Sequence, residues 1–347
     1  MPITVLVVDD SVLMRAKITE LIEKDGDIEV VGSASNGIDA LEKIPRLAPD
    51  VVTLDVQMPR LDGISTLKRI MAECPSRVIM LTGHATYGGG ETVRALEMGA
   101  IDFVFKPSGS LSLDIDSVAG ELRSKIRAAM QAEVKGIALA APAPAPALLS
   151  GPAGDAGRVV VIGASTGGPR SLSFLLPQIP ESPSASIVVV QHMPAFFTTS
   201  FAGHLDAALA WRVSEGKDGD YLERGRLVVA PGGNHLDLVR EGERCRLKTV
   251  PVGEVKGPYT PSISFTMTRA AELYGSRCIG VLLTGMGDDG VDGMLAIRAA
   301  GGRTIAESEE SAIVYGMPKA AAQRGAAEFI LPLADIARKL TALMLED

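Results

Sequence analysis

The chain has 347 residues, enough for two domains that each bury a core, and its 34 Lys and Arg against 42 Asp and Glu leave a formal charge of −8. No dense basic run is present to neutralise a phosphate backbone, which excludes nucleic acid as the expected partner. Three widely spaced cysteines, without ligand spacing to the four histidines, support neither a disulfide framework nor a zinc site and suit a reducing, cytoplasmic setting.

The N-terminal stretch MPITVLVVDD reaches acidic residues too early for a secretory signal, and the longest apolar stretches fall short of the roughly 18 residues of a membrane span. A soluble protein without membrane insertion is expected. The runs ITVLVV, IEVVGSA, VVTLDV, RVIMLT and DFVFKP then alternate with helix-like segments such as VLMRAKITELIEK. That alternation predicts an α/β fold, a parallel sheet with helices on both faces. The strand ends carry the chemistry: Asp9 and Asp10 end the first, Asp55 the third, Thr82 the fourth and Lys106 the fifth. Open α/β sheets place their ligands at those carboxyl ends. Three carboxylates gathered there repel one another unless a cation sits between them, and such oxygen donors suit Mg²⁺, while Lys106 offers a fixed charge to an anion.

The segments VLVVDDS, LDVQMPRLDG, MLTG and DFVFKPS together resemble a response-regulator receiver domain, a doubly wound, flavodoxin-like unit placed at residues 1–125. The resemblance implies that Asp55 accepts a phosphoryl group from a phosphohistidine donor. Mg²⁺ would sit on Asp10, Asp55 and the backbone carbonyl of Gln57, with Asp9 in the outer shell. It further implies that Thr82 senses the phosphoryl oxygens and that Phe103, three residues before Lys106, is the aromatic that repositions; a plain core aromatic is the other reading of Phe103.

Residues 126–157 read as a linker, because GIALAAPAPAPALLSGPAGDAG is mostly Ala, Pro and Gly and favours an extended spacer. The α/β pattern resumes over 158–347 with RVVVIG, ASIVVVQ, RCIGVLLTG and AEFILPL, interrupted by a hairpin, HLDLVREGERCRLKTV, turning at Glu241 to Glu243. In VVVIGASTGGPRSL, Ser165 follows a strand within the G-x-S-x-G pattern of a nucleophile elbow, a pattern that also suits a helix cap. A dinucleotide loop is excluded, since Ser165 occupies the middle glycine position and the next strand ends in VVVQHMP rather than an acid. A P-loop lacks its lysine. In place of the acid stands His192, and a later strand running into MGDDGVDG brings Asp288 and Asp289 to the same sheet edge. These residues can form a serine, base and acid relay, in the order Ser, His, Asp. His84, His204 and His235 read as loop, helix and strand-start residues with structural or substrate-orienting roles.

Receiver, linker and IGASTGG, QHMP, APGGNH, YTPSIS and LLTGMGDDG together resemble the CheB-type chemotaxis protein-glutamate methylesterase family over essentially the whole chain. The resemblance implies a methylesterase domain with a mostly parallel sheet, hydrolysing glutamate methyl esters on chemoreceptors and deamidating receptor glutamines. By position it implies the triad Ser165, His192 and Asp289, oxyanion donors in the backbone N–H groups of Thr166 and Met286, and no cofactor for the hydrolysis. The chemotaxis histidine kinase would be the phosphodonor, and phosphorylation would relieve blockage of the cleft by the receiver. Ser264 stands where the family commonly has an Asp. A binding module with a vestigial elbow, and a receiver-gated esterase acting outside chemotaxis, are the alternatives.

Overall fold

Val5, Leu6, Val7 and Val8 are fully buried, as a central strand covered by helices on both faces must be. They belong to β1 (Ile3–Val8), which pairs in parallel with β2 (Ile28–Ala34) and β3 (Val51–Asp55); β4 (Arg77–Thr82) and β5 (Asp102–Phe105) complete a sheet of order β2-β1-β3-β4-β5. Parallel neighbours need crossovers, supplied here by α1 (Val12–Glu23), α2 (Gly37–Leu47), α3 (Gly63–Glu73) and α4 (Gly89–Glu97), and α5 (Ile115–Ala129) follows β5. Ser11, Asn36 and Asp62 start α1, α2 and α3 by accepting backbone N–H groups with their side chains. Strand order reverses between β1 and β3, which opens the ligand crevice at their carboxyl ends.

The computed structural model describes residues 1–83, 89–106, 115–132, 157–182 and 184–346. The chain divides into two units, Met1–Ala138 and Leu139–Asp347. Helix α5 runs to Ala129, so residues 126–129 are helical where a linker was expected from 126. The cause is apolar anchoring: Ile126, Ala128 and Ala129 are buried. The rest of that linker up to 156, apart from residues 130–132, and His84 lie outside the described residues. No helix among the described residues is long and apolar enough to cross a membrane.

The second unit opens with β6 (Arg158–Ala164), α6 (Gly168–Leu175), β7 (Ala185–Gln191), α7 (Phe197–Ala208), β8 (Arg212–Glu215) and β9 (Arg226–Val229). A hairpin of β10 (Asn234–Glu241) and β11 (Arg244–Pro251) leads into α8 (Ile263–Tyr274), β12 (Cys278–Leu282), α9 (Val291–Ala299), β13 (Arg303–Glu307), α10 (Met317–Gln323), β14 (Phe329–Leu331) and α11 (Leu333–Leu345). Seven strands form one sheet of order β14-β13-β12-β6-β7-β9-β8, and every pairing in it is parallel. Strands β8, β9 and β13 lie outside the runs that the sequence marked. The chain leaves β6 towards β7 on one side and later returns through β12 on the other, so β6 is the switch point of the sheet. Beneath it, Met267 and Ala270 of α8 and Val291, Met294 and Ile297 of α9 share one buried cluster with Val159, Val161 and Leu282.

Candidate active site

At the carboxyl edge of the first sheet, Asp9, Asp10 and Asp55 offer ligand oxygens that all lie within 4.8 Å of one another. Asp9 and Asp55 are buried and Asp10 is exposed. Lys106 Nζ reaches Asp9 Oδ2 at 2.7 Å and Asp55 Oδ2 at 2.6 Å. Burial pushes the Asp55 carboxyl up, against the pull of Lys106. Burial also works against the Lys106 charge, but its bonds to the two carboxylates outweigh this and raise it. Three hard carboxylate donors at this spacing fit Mg²⁺. Gln57 donates its backbone N–H to Asp55 Oδ1 at 3.3 Å. Thr82 is buried at the end of β4, its hydroxyl 3.4 Å from the Gly83 carbonyl. Phe103 is buried edge-on to Phe105 with centroids 6.2 Å apart, and Lys125 Nζ lies 5.1 Å from its ring centre.

In the second unit Ser165, His192 and Asp289 follow β6, β7 and β12, three adjacent strands of the sheet. Gly167, at φ +79, turns the chain from β6 into α6 in a left-handed conformation that a side chain disfavours. The elbow is held on two sides: Ser165 donates its N–H to the Thr284 carbonyl at 3.0 Å, and its own carbonyl accepts Gln191 Nε2 at 2.9 Å. Ser165 Oγ lies 3.1 Å from His192 Nδ1, and His192 Nε2 lies 2.8 Å from Asp289 Oδ2. The ring nitrogens are used in the opposite sense to the serine-protease template, in which Nε2 faces the serine. An Nε2–H donated to Asp289 leaves the Nδ1 lone pair to receive the serine proton.

Asp289 is 5% exposed and sits at the N-terminus of α8. It accepts the Ser262 hydroxyl at 3.2 Å, the Ile263 N–H at 2.7 Å and the Ser264 N–H at 2.9 Å. Burial opposes its charge, yet His192 and these donors outweigh burial and hold the carboxyl below its usual range. Asp288 is exposed, and α9 begins at Gly290 with no side-chain cap. Ser264 supplies a hydroxyl acceptor beside Asp289: its Oγ takes the Gly290 N–H at 2.7 Å.

Thr166 is buried in the turn after the serine, and its carbonyl accepts the Thr284 hydroxyl at 2.9 Å. The loop carrying Met286 closes tightly on the nucleophile, since a Cβ on Gly285 would stand 2.6 Å from Ser165 Cβ. His235 is buried at the start of β10 and its Nδ1 accepts the Ser262 N–H at 3.2 Å, while burial lowers its basicity. His204 lies on α7, partly exposed.

Several supporting residues escaped the sequence reading. Ser262 was signalled only as a serine before an apolar helical run. Gln191 and Thr284 gave no signal, because their roles are contacts between distant segments. Glu307 ends β13, fully buried, and accepts the Thr284 N–H at 2.8 Å and the Ser311 hydroxyl at 3.0 Å.

Comparison with known proteins gives the family of each unit. Residues 160–340 match the CheB methylesterase family and residues 5–114 the response regulator receiver domain. A protein-glutamate methylesterase/protein-glutamine glutaminase of Thermotoga maritima is 43% identical over 99% of this chain and 98% of its own length. One of the same name from Symbiobacterium thermophilum is 44% identical over 98% and 96%. The crystal structure of the Thermotoga maritima CheB methylesterase catalytic domain superposes with a TM-score of 0.52 at 41% identity, covering 54% of this chain and 99% of that one. The chain therefore belongs to the CheB methylesterase family, with a response-regulator receiver domain preceding its esterase domain.

Proposed function

We propose that the protein hydrolyses methyl esters of glutamate side chains on chemoreceptors and deamidates receptor glutamines, with Ser165 as nucleophile, His192 as base and Asp289 as the acid that orients it. The observation that carries this is the unbroken hydrogen-bond chain from Ser165 Oγ through His192 to Asp289. Ser165 Oγ attacks the ester carbonyl as its proton passes to His192 Nδ1, and Asp289 stabilises the imidazolium. Backbone N–H groups of Thr166 and Met286 are assigned to the oxyanion. Collapse breaks the C–O bond, the leaving methoxide takes the proton from His192 as methanol, and an acyl-serine remains. Water, deprotonated by His192, then attacks that ester, frees the glutamate carboxylate and returns the proton to Ser165. With glutamine the first leaving group is ammonia.

The receiver governs this activity through Asp55, phosphorylated by the phosphohistidine of the chemotaxis kinase, with Thr82, Phe103 and Lys106 responding. Asp10, Asp55 and the Gln57 carbonyl would hold Mg²⁺, with Asp9 behind them, and the ion would neutralise charge on the phosphoryl oxygens. A cytoplasmic location goes with that kinase and with the cytoplasmic helices of the receptors. The test is methanol release from methylated receptors. Ser165→Ala and His192→Ala should each abolish it, and Asp55→Asn should keep basal turnover but lose stimulation by a small phosphodonor. Near-normal turnover of Ser165→Ala would overturn the mechanism.

A further inference from the structure

The segment between β11 and α8 supplies more to the relay than the cap at Ser262. Tyr259 lies flat on the His192 imidazole, with ring centroids 4.9 Å apart and planes 7° from parallel. Its hydroxyl sits against the loop carrying Met286: a Cβ on Gly287 would stand 2.3 Å from the phenol oxygen. Burial first, and then the carboxylates of Asp288 and Asp289, raise the phenol above its usual value and keep it neutral. One side chain thus touches both the base and the loop assigned to the oxyanion.

We propose that Tyr259 is a positioning residue of the esterase, whose ring fixes and supports His192. This rests on the assignment of Ser165 and His192 above. The physical reasons are two. Asp289 holds the imidazole at a single edge atom, about which the ring can still swing, and a parallel neighbour removes that freedom, keeping Nδ1 directed at Ser165. The imidazole also becomes a cation when the serine proton arrives, and an aromatic face close to a cation attracts it. Both effects act on the transition state more than on substrate binding, so they belong to kcat.

The test is steady-state methanol release by the full-length protein, activated with a small phosphodonor, in Tyr259→Leu, Tyr259→Phe and Tyr259→His. The Leu variant should lose about 3- to 30-fold in kcat with KM within about twofold. The Phe and His variants keep a flat ring and should stay within about threefold of the parent. The His192 ring-proton resonances should move downfield only in the Leu variant, as the ring current disappears. Unchanged kcat in Tyr259→Leu, a loss confined to KM, or a Phe variant as impaired as Leu would each overturn the proposal. If the Leu variant does not fold, the Phe and His variants decide, because a loss of turnover above about threefold in a folded form of either overturns it. Activity surviving in Ser165→Ala would overturn the underlying assignment as well, whereas an inactive Ser165→Ala beside a fully active Tyr259→Leu overturns the role of Tyr259 alone.

Discussion

Replacing Glu307 with Gln should stabilise the second unit at neutral and alkaline pH and leave its stability in acid nearly unchanged. Glu307 is fully buried, and its two hydrogen bonds come from the Thr284 N–H and the Ser311 hydroxyl. Burial pushes its carboxyl up from 4.5 to about 7. The folded state therefore holds its proton more tightly than the unfolded chain does. Below the unfolded value both states are protonated and the group costs nothing. As pH rises through the interval up to about 7, the unfolded chain releases its proton first, and stability is lost until the folded carboxyl has titrated too. An elevation of that size corresponds to ~3 kcal/mol. Glutamine has the same shape, offers a carbonyl to the Thr284 N–H and an amide to the Ser311 oxygen, and does not ionise. Urea unfolding followed by the emission of Trp211, the single tryptophan and buried in this unit, measures the effect. The parent and variant should unfold alike near about pH 4.5, and the variant should be more stable by ~3 kcal/mol near about pH 8. Parallel pH profiles, or a variant less stable in alkali, would refute the reasoning.

Asp289→Asn should lower receptor demethylation by roughly two to four orders of magnitude, while Asp288→Asn, at an exposed site, should leave it nearly intact; the reverse ranking in equally folded variants would move the acid to Asp288. Mg²⁺ should slow hydrogen exchange of β1 and β3 amides, by ~2.7 kcal/mol of protection at about a hundred times its dissociation constant. Asp10→Ala should remove that response, and an unchanged Mg²⁺ effect would show that Asp10 is no ligand.

Much of this fold was legible because buried parallel strands read as continuous apolar runs, as Val5–Val8 and the stretch from Val159 to Ile162 do. Strand β13 was not, since it buries Thr304 and Glu307, and Thr304 finds its partner in the Ala326 carbonyl at 2.7 Å, far along the chain. The short β8, RVSE, holds one apolar residue and gives no apolar run to read. At the site, Ser165 and His192 could be placed because each stands just past an apolar run. The geometry separating Asp289 from Asp288 comes from the turn of α8, some 25 residues earlier in sequence, which no local pattern encodes. The use of Nδ1 toward the serine, and of Tyr259 as a stacked neighbour, likewise arises only when distant strands meet.

The two units place carboxylates at the ends of parallel strands with opposite electrostatic outcomes. In the receiver, Asp9 and Asp55 share one lysine, and Asp55 keeps a raised carboxyl; the cluster has more negative charge than its own cation balances, a state suited to gaining a divalent ion. Asp289 is nearly as buried, yet its carboxyl is held low because His192, three donors at the start of α8 and the Gly290 N–H all bond to it. A carboxylate satisfied by fixed dipoles needs no ion and stays negative while its neighbour cycles between imidazole and imidazolium. The same sheet edge thus makes a site open to an added cation in one unit and a self-sufficient proton relay in the other, and the difference lies in how many fixed donors meet the acid.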